Sequence, residues 1–492
     1  MKDFPQLSLN QESQLTDSLL HWSLSNGLVM YPPNFKSYGA SSAPITLFPT
    51  PFPKQAFSNA NDVQVLFNEL YINLVTKHKV WLVDILKDLS TFDADFTGKL
   101  FETYLKALEQ SPGGKFIQPL SLGLFRSDYM IDSRGDVPEI KQIEFNTVSV
   151  SFGGLSTKVG QLHNYLNKTG LYDNTYSFPY YSEEEVPVSD SINLLASGLA
   201  EADSKYREAQ EEPAATTVLF VVQANERNCF DQRHIEYSLL NNHGIRSVRV
   251  SLENIQSQLT QTNNKLYIKE TMDEISVVYY RSGYSPSDYE SNPELTWSAR
   301  LFLETSAAIK CPSLLTQLSG AKKIQQILTS PEYIQKFLPL IAEDDLKKLL
   351  STFVTIYPLD NSPQGKLAKK LAFEEPERFV LKPQREGGGN NIYKENIPAF
   401  LQNLKEEEWD AYILMELIDA PTHKNKIIRN DEIYNEDIIS ELGIFGTILF
   451  SEETGVVISN KNAGWLLRSK FSSSNEGGVA AGFGCVDNVY LY

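Results

Sequence analysis

Apolar residues recur along this chain at two spacings, and the change between them divides it. Over 61–90 they fall three and four apart (Val65, Leu66, Leu70, Ile72), and over 95–110 they do so again around Leu100, Tyr104 and Leu105. Both segments are expected as helices. Leu122 to Arg126 and Ile140 to Val150 read as strands, and a helix over 155–168 leads into a polar stretch, 173–190, rich in Ser, Tyr, Pro and Glu. A second polar segment, 208–217, ends at the apolar run Val218 to Val222. That run opens an alternation of strands and helices: helix 232–243, strands 247–250 and 275–280, helix 297–310. Such alternation implies a small α/β layer with a mostly parallel sheet. Residues 216–318 are therefore expected as an α/β domain inserted into a discontinuous body, 1–215 and 319–492. Helix 322–329 and strands at 378–382, 411–416 and 439–450 return the chain to that body.

Composition narrows the class. The 492 residues suffice for two or three domains, and 41% hydrophobic with 22% charged residues is ordinary for a globular protein. The 62 acids against 44 Lys and Arg give a formal charge of −18, which opposes a nucleic-acid or anionic-membrane binder. The first fifteen residues lack an apolar core, so no secretory signal is expected, and no apolar run is long enough for a transmembrane helix. Three widely spaced cysteines, Cys229, Cys311 and Cys485, point to a reducing compartment without a disulfide framework. Neither a Cys-x-x-Cys nor a His-x-x-x-His pair occurs, which removes the usual zinc constellations. The expectation is a cytoplasmic enzyme.

The densest candidate chemistry lies in Lys382-Pro-Gln-Arg-Glu-Gly-Gly-Gly-Asn-Asn391, directly after the apolar pair Val380-Leu381. Three consecutive glycines give no packing and cost backbone entropy. They permit close approach of N–H groups to an anion, which Lys382 and Arg385 would neutralise, with Glu386 available to a Mg²⁺ ion. The lysine precedes the glycines, so this is not a P-loop. A flexible hairpin tip with ordinary surface charge has the same local composition.

Upstream, the alternation Gln142-Ile-Glu-Phe-Asn146 puts Glu144 and Asn146 on one face, a carboxylate and an amide oxygen suited to Mg²⁺. A half-exposed strand with a polar face reads the same way. Arg126 ends an apolar strand with Asp128 two residues on, either to grip a substrate carboxylate or to pair with a nearby acid. Ser149 and Ser151 precede Gly153-Gly154. Two loops, 223–232 and the one after Tyr280 that carries Arg281 and Tyr284, lie beyond strand ends, where α/β sheets bind ligands. Arg468 and Lys470 adjoin a second small-residue run, Gly477 to Gly484, which permits a loop that closes and excludes water.

Together these segments resemble the eukaryotic glutathione synthetase family of ATP-grasp carboxylate–amine ligases, its fungal members in particular. The resemblance covers nearly the whole chain. It rests on IEFNTVSVSFGGL at 143–155, ERNCFDQR at 226–233, TQLSGAKKIQQ at 316–326, KPQREGGGNN at 382–391 and GGVAAGFG at 477–484. It implies an ATP-grasp α/β (α+β) fold of mixed antiparallel sheets and flanking helices. It further implies a smaller parallel-sheet substrate domain, lid loops at 382–393 and 470–484, and a cytoplasmic homodimer. The implied reaction joins γ-glutamylcysteine to glycine with ATP, through an acyl phosphate, with two Mg²⁺ per site held by Glu144, Asn146 and Glu386. The resemblance assigns ATP to Lys322, Lys382, Glu386, Gly387, Gly388, Gly389, Asn390, Asn391, Tyr393, Glu441, Lys470 and Glu476. It gives adenine to a strand edge at Met415, Glu416, Leu417 and Ile418. Arg126, Ser149, Val150, Ser151, Glu226, Arg227, Asn228, Gln232, Arg281 and Tyr284 would meet the dipeptide, and Arg468, Val479 and Ala480 the carboxylate and glycine region. Arg126, Arg468, Lys322 and Lys382 would be the catalytic cations. The family's animal members differ in carrying aspartate for Glu476 and often lysine for Leu417. A homologous ligase with another acceptor, such as β-alanine, and a catalytically silent ATP-binding protein are the alternatives.

Overall fold

The computed structural model describes residue 2 and residues 4–173, 179–210, 215–384, 390–430, 432–475, 478–479 and 484–492. Among these, thirteen strands join one mixed sheet. Its antiparallel half is built from Val457–Phe471, Glu432–Ser451, Leu120–Asp132 and Glu139–Asn146. Its parallel half is Ile309–Cys311, Glu274–Tyr280, Thr216–Val222 and Arg246–Ser251. The halves meet where Lys310 pairs with Ser121. Thr216–Val222 is buried at every position, as a parallel strand covered on both faces must be. The stretch 216–318 thus supplies the expected parallel layer and shares its sheet with the body.

Apolar side chains fill both faces. One core gathers Phe67, Tyr71, Phe125, Phe145 and Leu442 under the helices Lys54–Val75 and Lys79–Phe92. The other gathers Leu124, Leu155, Leu199, Phe220 and Phe445 under Gly153–Lys168 and Ser191–Glu208. A separate antiparallel sheet orders Ile356–Pro358, Tyr412–Glu416, Phe379–Pro383 and Ile392–Tyr393. Alternation splits its side chains: Phe379 and Leu381 pack into its own core, while Val380, Ile413 and Met415 face Ile143 of the large sheet. The join between the two sheets positions the site.

Several expectations change. The helix expected over 61–90 is two, because the chain leaves helical geometry at Thr76 (φ −111°, ψ −83°), whose hydroxyl bonds Ile72 O at 2.7 Å. No glycine or proline marks that break. Instead of one helix over 297–310 there is Pro293–Glu304 followed by the short strand Ile309–Cys311. The strand expected to reach Val150 stops at Asn146, and Ser149 (φ 53°) and Phe152 (φ 69°) turn the backbone left-handed. Buried Val148 and Val150 between polar residues imitate strand alternation there. Glu432–Ser451 begins earlier than expected because Glu432, Asn435, Glu436 and Asp437 interrupt the apolar pattern at its start. The N-terminal helix Leu9–Asn26, signalled by a Ser8–Gln11 capping box, was not anticipated. Among the described residues, no helix is long and apolar enough to cross a membrane.

Candidate active site

Register places the charged groups. Across Leu120–Asp132 and Glu139–Asn146, Arg126 stands opposite Asn146 and Asp128 opposite Glu144. Directly paired residues share a face, so these four side chains emerge together. On the other side Gly443 lies opposite Asp128, and Glu441 pairs in turn with Arg468. A Cβ at 443 would stand 2.8 Å from Arg126 Cδ and 2.9 Å from Asp128 Oδ1, so only glycine lets the pair lie on the sheet.

Asp128, 1% exposed, is the centre of the network. Arg126 grips it with two nitrogens, Nε to Oδ1 at 2.6 Å and Nη2 to Oδ2 at 2.7 Å. Asn146 Nδ2 donates to the same carboxylate at 3.0 Å and Arg468 Nη2 at 3.3 Å. Arg468 also pairs with Glu441, its Nε donating at 2.6 Å. The Arg126 guanidinium therefore pairs with an internal acid, while its Nη1 reaches on to the Ser151 carbonyl.

Glu144 lies at the edge of this network. Lys322 Nζ reaches it at 3.0 Å, and Lys382 Nζ donates to the adjacent Ile143 carbonyl at 2.9 Å. Burial alone would raise the Glu144 pKa. Lys322, Lys382 and Arg468 outweigh it and hold the carboxyl well below the usual carboxylate range. Burial lowers the Arg468 pKa, opposed by Asp128 and reinforced by Arg126. Three cations thus converge on one ionised acid, an arrangement suited to a ligand carrying several negative charges.

Two features extend the site. A small cleft is lined by Met130, Ile439, Ser440, Glu441, Arg468, Ser469 and Lys470. Lys470 Nζ donates to Asn475 O at 2.7 Å. The small sheet contributes an apolar wall of Val380, Met415, Tyr393, Leu417 and Ile418 facing Ile143, suited to a planar aromatic group. The strand bearing Met415 is not the expected edge. It lies between two others, and the Glu416 and Leu417 N–H groups already donate to Thr355 O (3.0 Å) and Arg378 O (2.8 Å). Asn391 Nδ2 reaches the Tyr393 hydroxyl at 3.3 Å.

Beyond Asn146 the chain becomes a turn pinned on several sides. Ser149 Oγ donates to Tyr280 O at 3.1 Å, Arg281 Nη1 to Val150 O, and Arg126 Nη1 to Ser151 O at 3.1 Å. Glu226 accepts from Asn228 N at 2.7 Å and Gln232 Nε2 at 2.9 Å, while Gln223 reaches Tyr284 OH at 3.2 Å. Arg227 departs from this rim, its Nε donating to Tyr31 O at 3.0 Å. Val479 is buried. Glu386, Gly387, Gly388, Gly389, Glu476 and Ala480 lie outside the described residues. Sequence reasoning passed over Gln384, whose side chain bonds Lys323 N at 3.0 Å and Ala411 O at 3.2 Å, joining the lysine helix to the small sheet. It also passed over Asp231. Both lie inside motifs that the resemblance quoted.

Residues 9–491 match the family described as eukaryotic glutathione synthase, ATP binding domain. The chain is 41% identical to the glutathione synthetase large chain of Schizosaccharomyces pombe, over 92% of this chain and 91% of that one. It is 39% identical to the Homo sapiens glutathione synthetase, over 92% and 90%. The solved structure of a glutathione synthetase-like effector from Globodera pallida shares the fold, with a TM-score of 0.74 at 23% identity over 100% of this chain and 98% of that one. A mixed sheet and a small antiparallel sheet meeting at an ionised acid and three cations, in a chain so matched, define an ATP-grasp ligase. The chain belongs to the eukaryotic glutathione synthetase family.

Proposed function

We propose that this chain joins γ-L-glutamyl-L-cysteine to glycine, forming glutathione, ADP and phosphate through an acyl phosphate. The observation that carries the reading is the placement of Glu144. It is held ionised by Lys322, Lys382 and Arg468, on the strand that runs into the Ser149–Ser151 turn. In this reading a phosphoryl site and a dipeptide site would be neighbours on one length of backbone.

In this reading the cysteinyl carboxylate attacks the γ-phosphorus of ATP, and ADP leaves. Lys322 and Lys382 neutralise the charge that spreads over the phosphoryl oxygens. The glycine amine then attacks the acyl carbon, the C–O bond to phosphate breaks, and the amine loses a proton as the amide forms. Arg468 and Lys470 line the cleft beside which the glycine end would lie, and the loops 382–393 and 470–484 would exclude water from the acyl phosphate. Adenine would lie on the Met415–Ile418 wall. The dipeptide would meet Ser149, Ser151, Arg126 and the rim of Glu226, Asn228, Gln232, Arg281 and Tyr284.

The acid and amide fit a divalent cation. Glu144 is anionic, and Asn146 commits its Nδ2 to Arg126 O and Asp128, so its Oδ1 is the atom available as a hard ligand. Among the described residues no three His, Cys, Asp or Glu side chains cluster as a metal site, and Mg²⁺ takes few protein oxygens beside phosphate and water. Glu144, Asn146 and Glu386 would hold Mg²⁺, which supplies charge neutralisation along the polyphosphate. The division into a 216–318 substrate domain and a catalytic body, the homodimer and the cytoplasmic location belong to the same reading. The three free cysteines support a reducing compartment.

The test is product identification by mass spectrometry after incubation with ATP, Mg²⁺, γ-glutamylcysteine and either glycine or β-alanine. Glutathione from glycine is expected. A preferred β-alanine product would assign another acceptor, and no tripeptide with either would leave a silent ATP-binding protein.

A further inference from the structure

We propose that Asp231 is a positioning residue for the dipeptide: its carboxylate fixes the turn that presents Ser149, Val150 and Ser151. The inference rests on the ligase reading above and adds a residue that acts only through others.

Asp231 is 1% exposed in the first turn of the helix Cys229–His243. Its Oδ2 accepts from Phe152 N at 2.8 Å, and its Oδ1 from Gly154 N at 2.7 Å and Leu155 N at 3.0 Å. These donors stand at the start of the helix Gly153–Lys168, where first-turn N–H groups have no partner within the helix. The capping position is Phe152, which carries no side-chain acceptor. The missing acceptor thus comes from a helix 79 residues further along the chain.

The approach is close enough to require glycine. A Cβ at 154 would lie 2.4 Å from Asp231 O and 2.9 Å from its Oδ1. The turn also holds Ser149 and Phe152 at positive φ, conformations that persist only where the surroundings over-determine them. Asp231 fastens the far end of the turn, Thr147 Oγ1 the near end through Gln317 O at 3.0 Å, and Arg281 the middle through Val150 O. Because Asp231 adjoins Gln232, the turn and the Glu226–Gln232 rim are held as one unit. The carboxylate also occupies the positive end of this helix, which leaves the polyphosphate to the cations around Glu144.

Asp231→Asn is nearly isosteric but sets an N–H against either Phe152 N–H or the Gly154 and Leu155 pair. The KM for γ-glutamylcysteine should rise about tenfold while the KM for ATP stays within about twofold. Asp231→Glu, which keeps an acceptor-only carboxylate at the wrong reach, should show the same split at smaller size, and it carries the test if the asparagine variant does not fold. A lowered Tm with dipeptide KM unchanged in either variant would make Asp231 a helix cap and nothing more. Equal rises for both substrates would also overturn the proposal. Failure of the unmodified protein to make glutathione would instead sink the functional reading, before any variant is compared.

Discussion

Two carboxylates in this molecule meet opposite fates. Glu144, at the join of the two sheets, is held ionised by three cations. Asp487, at the C-terminal corner, accepts hydrogen bonds from Thr46, Thr50 and Ser469 at 2.6 Å and from Asn488 N at 2.7 Å, and all four partners are neutral. Burial pushes Asp487 up to about 6, with the hydrogen bonds opposing. Four neutral donors do not offset desolvation here, whereas neighbouring full charges do. The charged cluster at the join is therefore a built feature, held by register across four strands of the large sheet and completed by Lys322 from a helix and Lys382 from the small sheet, and the corner is a structural knot.

The largest effect that would test this contrast is at Lys322. Lys322→Met should lower kcat by about a thousandfold, because the charge beside Glu144 and the phosphoryl group is lost together. A kcat close to that of the parent would detach Lys322 from the chemistry. Next is Arg126→Ala, which strips Asp128 of its bidentate partner inside the sheet. About 3 kcal/mol or more of stability should be lost in urea unfolding, with weaker dipeptide use and ATP affinity nearly unchanged. A fully stable variant would mean that Arg468 and Asn146 satisfy Asp128 alone.

A smaller effect is expected at Asp487. Its folded pKa of about 6 lies above the ordinary 3.8, so the folded state binds the proton more tightly. The resulting stabilisation is full below pH 4 and is lost as pH rises through 6, up to about 3 kcal/mol. Asp487→Asn should remove that trend, so that Tm falls less between pH 4.5 and 7.5, by about two degrees in a chain of this length. An unchanged trend would place the titration elsewhere. Smallest is Leu417→Lys, on the apolar wall. Its N–H is already bonded to Arg378 O, so the KM for ATP should move by no more than about threefold.

The sequence made the fold class legible because strand and helix spacing changes sharply at Val218, and the resemblance supplied the rest. It missed what side-chain spacing does not encode. The break at Thr76 interrupts an apolar pattern that continues on both sides, and the turn at 147–152 alternates like a strand while its backbone is left-handed at Ser149. Glu144, Asn146, Lys322 and Lys382 were each visible in their motifs. That Lys322 touches Glu144, 178 residues away, depends on how two sheets meet. Arg126 read as a substrate clamp or a structural pair, and only register with Glu139–Asn146 and the bare Gly443 show it gripping Asp128. Asp231 was hidden because its partners are main-chain N–H groups, which no side-chain pattern announces.

The central claim is that the ionised Glu144 and its cations drive phosphoryl transfer from ATP to the dipeptide. Its most direct test is phosphate release by the unmodified protein and by Glu144→Gln, with each substrate omitted in turn. The account predicts one phosphate per glutathione, release that requires γ-glutamylcysteine, and a loss of about a hundredfold or more in the variant. Phosphate release indifferent to the dipeptide, or full turnover by Glu144→Gln, would contradict it.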